Sequence, residues 1–126
     1  SFRISLFCSN FAQSINIFSL AYPEKSSNWT NRFQMFATEN MWTFILLDSY
    51  NGRLWQVQYS TQDLDNLFCI PINKYELVEN NERCIFSIQP LTSMYQYYLI
   101  NDNTGDMWKF QWSTKGDDYR WIERFR

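Results

Sequence analysis

An internal repeat at an offset of 53 residues constrains the fold of this chain more than any other feature. Without gaps, Phe33–Ile72 aligns with Phe86–Phe125, and nine of the 40 aligned pairs are identical. About two or three identities would be expected at ordinary composition. The identical pairs are Phe33/Phe86, Met41/Met94, Leu46/Leu99, Gly52/Gly105, Trp55/Trp108, Gln58/Gln111, Ser60/Ser113, Thr61/Thr114 and Asp65/Asp118. We therefore expect a duplicated unit whose copies bury their apolar faces together.

Each copy has the residue pattern of β structure. Aromatic residues make up 20% of the chain, apolar positions alternate, and stripes of helical period are absent. The predicted strands lie near 33–37, 41–48, 53–60 and 67–72 in the first copy, and near 85–89, 94–101, 106–113 and 119–125 in the second. The predicted fold is all-β, with two tandem antiparallel repeats packed with pseudo-twofold symmetry as a sandwich or a barrel-like structure.

A hairpin stands at the centre of each copy. Gly52 and Gly105 close its loops, as expected where a turn ends in a left-handed conformation. Asp48 and Asn101 precede the loops, where their side chains can accept backbone N–H groups. The resulting register predicts these cross-strand pairs: Asp48–Arg53, Leu46–Trp55, Phe44–Val57, Trp42–Tyr59, Leu99–Trp108, Tyr97–Phe110 and Tyr95–Trp112.

This register places apolar and aromatic residues on one face of both hairpins, and we predict that this face is the core in each copy. The opposite face is mixed and is predicted to be exposed, or in contact with a partner or the N-terminal segment. It carries Met41, Thr43, Ile45, Gln56, Gln58, Ser60, Met94, Gln96, Tyr98, Lys109, Gln111 and Ser113. Recognition is expected there because glutamine amides both donate and accept hydrogen bonds, and tyrosine joins an apolar ring to a polar tip. The candidate ligand-binding residues are Gln56, Gln58, Tyr98, Lys109, Gln111, Trp29 and Tyr50.

The composition of the chain excludes several kinds of catalytic and metal-binding site. The chain has no histidine, which excludes Ser-His-Asp and Cys-His nucleophile systems and imidazole metal ligands. A net charge of −2 and a pI near 5.0 disfavour nucleic-acid binding. We predict no catalytic residues, no metal and no cofactor. The predicted partner is a protein or a glycan, or a second copy of the chain in a homo-oligomer. A small hydrolase that works through the loop carboxylate Asp65 or Asp118 is a weaker alternative.

The predicted domain spans 1–126, with the repeats at 33–72 and 86–125 and a polar linker at 73–83 that has room for a short helical turn. Residues 1–32 are predicted to form an extended segment that covers a sheet edge, with the remnant of an export signal as the alternative. Export and a cytoplasmic location both stay open. No stretch reaches the length of an apolar membrane span. Pairing of Cys69 with Cys84 is also open, because sequence spacing does not supply disulfide geometry.

Two resemblances follow from these motifs. The runs TENMWTFILLD at 38–48 and GRLWQVQYS at 52–60 resemble small tandem-repeat proteins of gut Bacteroidetes, over about two thirds of the chain. The second copy departs from this pattern, and the resemblance implies a bacterial domain without a particular activity. The Asp…Gly-x-x-Trp pattern also looks like the blade hairpins of β-propellers. Two repeats cannot close a propeller, but three chains would supply six blades, as in some small bacterial lectins, so an oligomeric lectin is a further alternative.

Overall fold

The computed structural model describes residues 31–59 and 67–126, and this part of the chain is all-β. It forms two four-stranded antiparallel sheets in which each strand pairs with its neighbour along the chain. Sheet 1 contains β1 (Phe33–Ala37), β2 (Thr43–Asp48), β3 (Arg53–Gln58) and β4 (Phe68–Pro71). Sheet 2 contains β5 (Phe86–Pro90), β6 (Gln96–Asn101), β7 (Met107–Gln111) and β8 (Trp121–Arg124), with one 3₁₀ turn at Asp117–Tyr119. The predicted all-β fold with two similar repeats is confirmed.

The predicted register of both central hairpins is also confirmed. In sheet 1, Leu46 lies opposite Trp55 and Phe44 opposite Val57. In sheet 2, Leu99 lies opposite Trp108 and Tyr97 opposite Phe110. Beyond the last assigned pair, the Trp112 backbone N–H donates to the Tyr95 carbonyl at 3.1 Å, so the predicted Tyr95–Trp112 pairing continues the same ladder.

Both hairpin loops use the predicted turn chemistry. Gly52 and Gly105 have φ angles of +83° and +81°, a region that glycine enters without a steric penalty. The Asp48 carboxylate accepts the backbone N–H of Tyr50 at 3.1 Å. The Asn101 amide oxygen accepts the N–H groups of Asn103 and Thr104. The same turn is therefore stabilised by an aspartate side chain in the first copy and by an asparagine side chain in the second.

The predicted core face is correct in sheet 2 and wrong in sheet 1. Tyr97, Leu99 and Phe110 are at most 3% exposed, as predicted. In sheet 1 the buried side chains are those of the opposite face, which we call the inner face of sheet 1; they are Gln34, Phe36, Thr43, Ile45, Leu47, Leu54 and Gln56. The residues predicted as core, among them Phe44, Leu46, Trp55 and Val57, are only half-buried and form the outer face of sheet 1.

The two sheets therefore pack through opposite faces of their repeats. One apolar cluster joins Ile45, Leu47 and Leu54 of sheet 1 to Leu99 and Phe110 of sheet 2. Under the 53-residue offset, Leu99 and Phe110 correspond to Leu46 and Val57, which lie on the outer face of sheet 1. A twofold axis would join equivalent faces, so this packing corrects the predicted pseudo-twofold arrangement. Both faces of sheet 1 carry large apolar side chains, so alternation alone could not decide which face is buried.

Most of the linker is exposed, as predicted, but Asn73 is buried, and its side chain bonds to the Leu54 N–H and the Gly52 carbonyl. Leu77 and Val78 pack against the core, and the linker forms no helical turn.

Cys84 is disulfide-bonded whereas Cys69 is a free thiol, so these two cysteines do not pair with each other. The predictions for residues 1–30 lie outside the described residues.

Burial of Tyr97 predicts a loss of stability at high pH. Desolvation, with a smaller contribution from the charge of Glu39, raises the pKa of Tyr97 from 10.0 to about 12. The folded state therefore favours the neutral phenol, and this contribution is complete below pH 10 and is lost as the pH rises towards 12. Urea denaturation at pH 8 to 12 should show the free energy of unfolding falling by about 2 kcal/mol more in the wild type than in Tyr97→Phe. Equal pH profiles for the two proteins would contradict the prediction.

Candidate functional site

The outer face of sheet 2 brings together three of the predicted ligand-binding residues. Tyr98 and Lys109 lie directly opposite each other on β6 and β7, and Gln111 follows Lys109 by two residues on the same face. All three side chains are half-buried. The antiparallel register creates this surface, because residues at alternating positions of paired strands share one face.

Hydrogen bonds hold the polar part of this surface in place. The Gln96 side-chain amide donates to Gln111 Oε1 at 2.9 Å. Gln111 Nε2 in turn donates to the Tyr119 carbonyl, also at 2.9 Å, which ties β7 to the end of the 3₁₀ turn. Thr43 and Gln58, the equivalent pair of sheet 1, make a similar bond of 3.0 Å from Thr43 Oγ1 to Gln58 Oε1.

Sequence reasoning missed the apolar part of the same face. Ile100 and Met107 form a cross-strand pair beside Tyr98, and the Phe125 ring lies 5.6 Å from the Tyr98 ring between centroids. Phe125 is 46% exposed, and Trp121 lies opposite Gln111 on β8. The alternation of side chains along β6 and β7 was the sequence signal that places Ile100 and Met107 on this face. The outer face of sheet 2 is thus an apolar centre flanked by glutamines and the Lys109–Glu123 cross-strand pair.

A shallow depression borders this face near the end of the described chain. It is lined by Asp106, Glu123, Arg124, Phe125 and Arg126. Arg124 donates to the Asp106 carboxylate at 2.8 Å, and this bond, with a smaller contribution from Thr104, lowers the pKa of Asp106. The depression presents a charged rim next to the aromatic ring of Phe125.

The predicted exposure of Gln56 is wrong. Its side chain is 0% exposed because it lies on the inner face of sheet 1. Gln56 Nε2 donates to the Ser113 carbonyl at 2.9 Å, while its Oε1 accepts the Ser113 N–H at 3.1 Å and Arg120 Nε at 2.8 Å. The residue joins the two sheets, and the geometry gives it a structural role.

The remaining predicted site residues do not join the outer face of sheet 2. Gln58 is half-buried in sheet 1. Tyr50, a candidate ligand-binding residue, is only 8% exposed, and the Arg32 guanidinium carbon lies 4.7 Å from the centre of its ring. Trp29 lies outside the described residues.

Few groups in the described part of the chain are suited to metal binding, acid–base catalysis or thiol chemistry. Residues 31–59 and 67–126 contain no cluster of three or more side chains suited to hold a metal ion. Asp118 is exposed on the 3₁₀ turn, and Asp65, its predicted partner in a hydrolase, lies outside the described residues. Cys69 is an exposed thiol on the edge strand β4, and partial burial raises its pKa, which reduces the reactive thiolate.

Comparisons with known proteins return no match. No family model matches the chain, and no curated protein or solved structure is significantly similar to it. The resemblance to Bacteroidetes repeat proteins therefore stays a prediction. Among the described residues, no helix has the length and apolar character needed to cross a membrane.

Proposed function

We propose that this chain is a non-catalytic interaction module that binds a protein partner through the outer face of sheet 2. The observation that carries the proposal is the composition of that face. Tyr98, Ile100, Met107 and Phe125 form an apolar centre, and the hydrogen-bonded pair Gln96 and Gln111 lies on the same face at one end of it. An apolar centre with a polar rim is the usual anatomy of a protein interface, and aromatic anchors dominate its affinity.

Two further features support a binding role. In the repeat alignment, Lys109 occupies the position of Gln56. The second copy therefore has a half-buried cation where the first copy has a buried structural amide. The side chains of Gln96 and Gln111 on this face are held by hydrogen bonds within the chain, which reduces the entropy lost on binding.

The disulfide at Cys84 is typical of proteins in oxidising compartments and favours the exported alternative for this chain.

A matched pair of double variants tests this proposal. Tyr98→Ala with Lys109→Ala removes an aromatic ring and a cation from the outer face of sheet 2. Lys74→Ala with Tyr75→Ala removes the same groups from the linker, where both residues are exposed. Each protein is immobilised at low density, so that single copies are presented, and is used to select from a phage-displayed random peptide library.

We expect the wild type and the linker variant to enrich the same peptides, and the outer-face variant to lose at least tenfold in peptide binding, because hot-spot aromatics supply most of the affinity. Equal enrichment by all three proteins would place the binding surface elsewhere. A glycan array probed with the same proteins covers the lectin alternative. Binding there, without peptide enrichment, would replace a protein partner by a carbohydrate.

A further inference from the structure

We propose that the partner of the outer face of sheet 2 is a second copy of this chain, which docks with the outer face of its sheet 1. This inference rests on the proposed function and names the partner. Successive copies then join head to tail, and the chain closes into a ring of sheets. Four separate observations on the packing of one chain support it.

The first observation is the direction of the internal packing. The inner face of sheet 1 contacts the face of sheet 2 that corresponds, by repeat, to the outer face of sheet 1. Within residues 31–59 and 67–126, an interface between non-equivalent faces leaves one face of each kind unused at the two ends of the pair of sheets. The operation that relates sheet 1 to sheet 2 can therefore be repeated between chains.

The second observation is the composition of the unused face of sheet 1. Its residues align with residues of sheet 2 that are buried in the internal interface, and every aligned pair is apolar or aromatic. The aligned pairs are Phe33/Phe86, Met35/Ile88, Phe44/Tyr97, Leu46/Leu99, Trp55/Trp108 and Val57/Phe110. The sheet 2 members are at most 8% exposed, whereas Phe33 is 52% exposed. The unused face of sheet 1 thus has the character of a buried one.

The third observation is the composition of the unused face of sheet 2. Its apolar centre aligns with the core residues on the inner face of sheet 1. The aligned pairs are Ile45/Tyr98, Leu47/Ile100, Leu54/Met107 and Ile72/Phe125. The first member of each pair is at most 6% exposed. Polar replacements at Phe36/Gln89 and Gln56/Lys109 make this face more polar than its counterpart, as expected for a surface that meets water before assembly.

The fourth observation is a matched pair of glycine sites. A Cβ on Gly52 would lie 3.1 Å from the Phe86 ring, so that ring packs directly on the loop of sheet 1. At Gly105, the equivalent loop of sheet 2, no described atom lies within 4 Å of the same position. Phe33 is the repeat counterpart of Phe86. Docking of a second copy would place the exposed Phe33 ring of that copy over Gly105.

Ring closure sets the number of copies. Each sheet is a four-stranded meander, the blade unit of a β-propeller, and propellers close with roughly four to eight blades. With two sheets in the described part of each chain, a closed ring of four to eight sheets contains two, three or four copies. The expected mass is the corresponding multiple of 15.4 kDa.

The test measures mass in solution and then blocks each face separately. Sedimentation equilibrium should give two to four times the chain mass for the wild type. Phe33→Ala truncates an exposed ring and should raise the dissociation constant at least tenfold, while Tyr75→Ala, which truncates a 78% exposed ring in the linker, should not. Leu46→Lys blocks the outer face of sheet 1, and Tyr98→Lys blocks the outer face of sheet 2. Each should be monomeric alone.

Mixing the two blocked variants separates head-to-tail docking from symmetric dimers. One open face remains on each variant, so an equimolar mixture should form heterodimers of twice the chain mass and nothing larger. A dimer that survives Tyr98→Lys but not Leu46→Lys would overturn the proposal in favour of a symmetric contact. A wild type that is monomeric up to millimolar concentration would also overturn it. In that case, peptide enrichment by the outer face of sheet 2 would leave the proposed function standing. If Leu46→Lys or Tyr98→Lys fails to fold, the wild-type mass and Phe33→Ala still decide the question.

Discussion

Replacing Gln56 by alanine is expected to lower the free energy of unfolding by about 3 to 5 kcal/mol. The amide bonds to both backbone polar groups of Ser113 and to the Arg120 guanidinium. Gln56 and Ser113 are buried, and the Arg120 side chain is 8% exposed. Truncation leaves the Ser113 N–H and Arg120 Nε without this acceptor, at about 1 to 3 kcal/mol each, whereas the Ser113 carbonyl keeps a bond of 3.3 Å from Arg120 Nη2. Since a domain of this size has about 5 to 15 kcal/mol of stability, this loss is a large fraction of the total.

Gln58→Ala is the matched control for this measurement. Gln58 lies two residues further along β3 on the same face, but it is half-buried and its side chain bonds to one hydroxyl, that of Thr43. Its truncation should cost about 1 kcal/mol. Urea denaturation followed by tryptophan fluorescence, at equal protein concentration, gives both values. Equal losses for the two variants would show that Gln56 does not join the sheets in the way described.

The contrast between these two glutamines shows what the sequence determines. The repeat, the strands, the register and the turn chemistry of Gly52 and Gly105 are local properties, and all of them are confirmed. The choice of buried face is not local. Both faces of β2 and β3 carry large apolar side chains, so alternation has two equally good solutions in sheet 1, and the second sheet decides between them.

The same reason explains which parts of the candidate site were predicted. Tyr98, Lys109 and Gln111 were identified because the face of sheet 2 was assigned correctly. Gln56 was assigned to the outside because both copies were assumed to use one face. Its contact with Ser113 spans 57 residues in sequence, and no pattern within one repeat encodes such a contact. Phe125 was missed because its partner Tyr98 lies 27 positions earlier, on a strand that is not adjacent to it in sequence.

The duplication supplies an unusually well-matched experiment on the packing of the sheets. Gly52 and Gly105 occupy the same loop position with φ angles of +83° and +81°, so an alanine at either site has the same backbone cost of about 1 kcal/mol. Only Gly52 is crowded. A Cβ there would lie 2.9 Å from Leu77 Cδ1 and 3.1 Å from Phe86 Cζ. Overpacking of this kind adds about 1 to 3 kcal/mol.

Gly52→Ala is therefore expected to cost about 2 to 4 kcal/mol in the free energy of unfolding, and Gly105→Ala about 1 kcal/mol. Both substitutions are made in the Phe33→Ala background, so that association between copies does not add to the measured value. Equilibrium urea denaturation compares the two proteins at the same pH and concentration. If the losses are equal, the linker and β5 do not pack on the Gly52 loop. A larger loss for Gly52→Ala would show that Leu77 and Phe86 pack on this loop, because the backbone contribution cancels in the difference between the two sites.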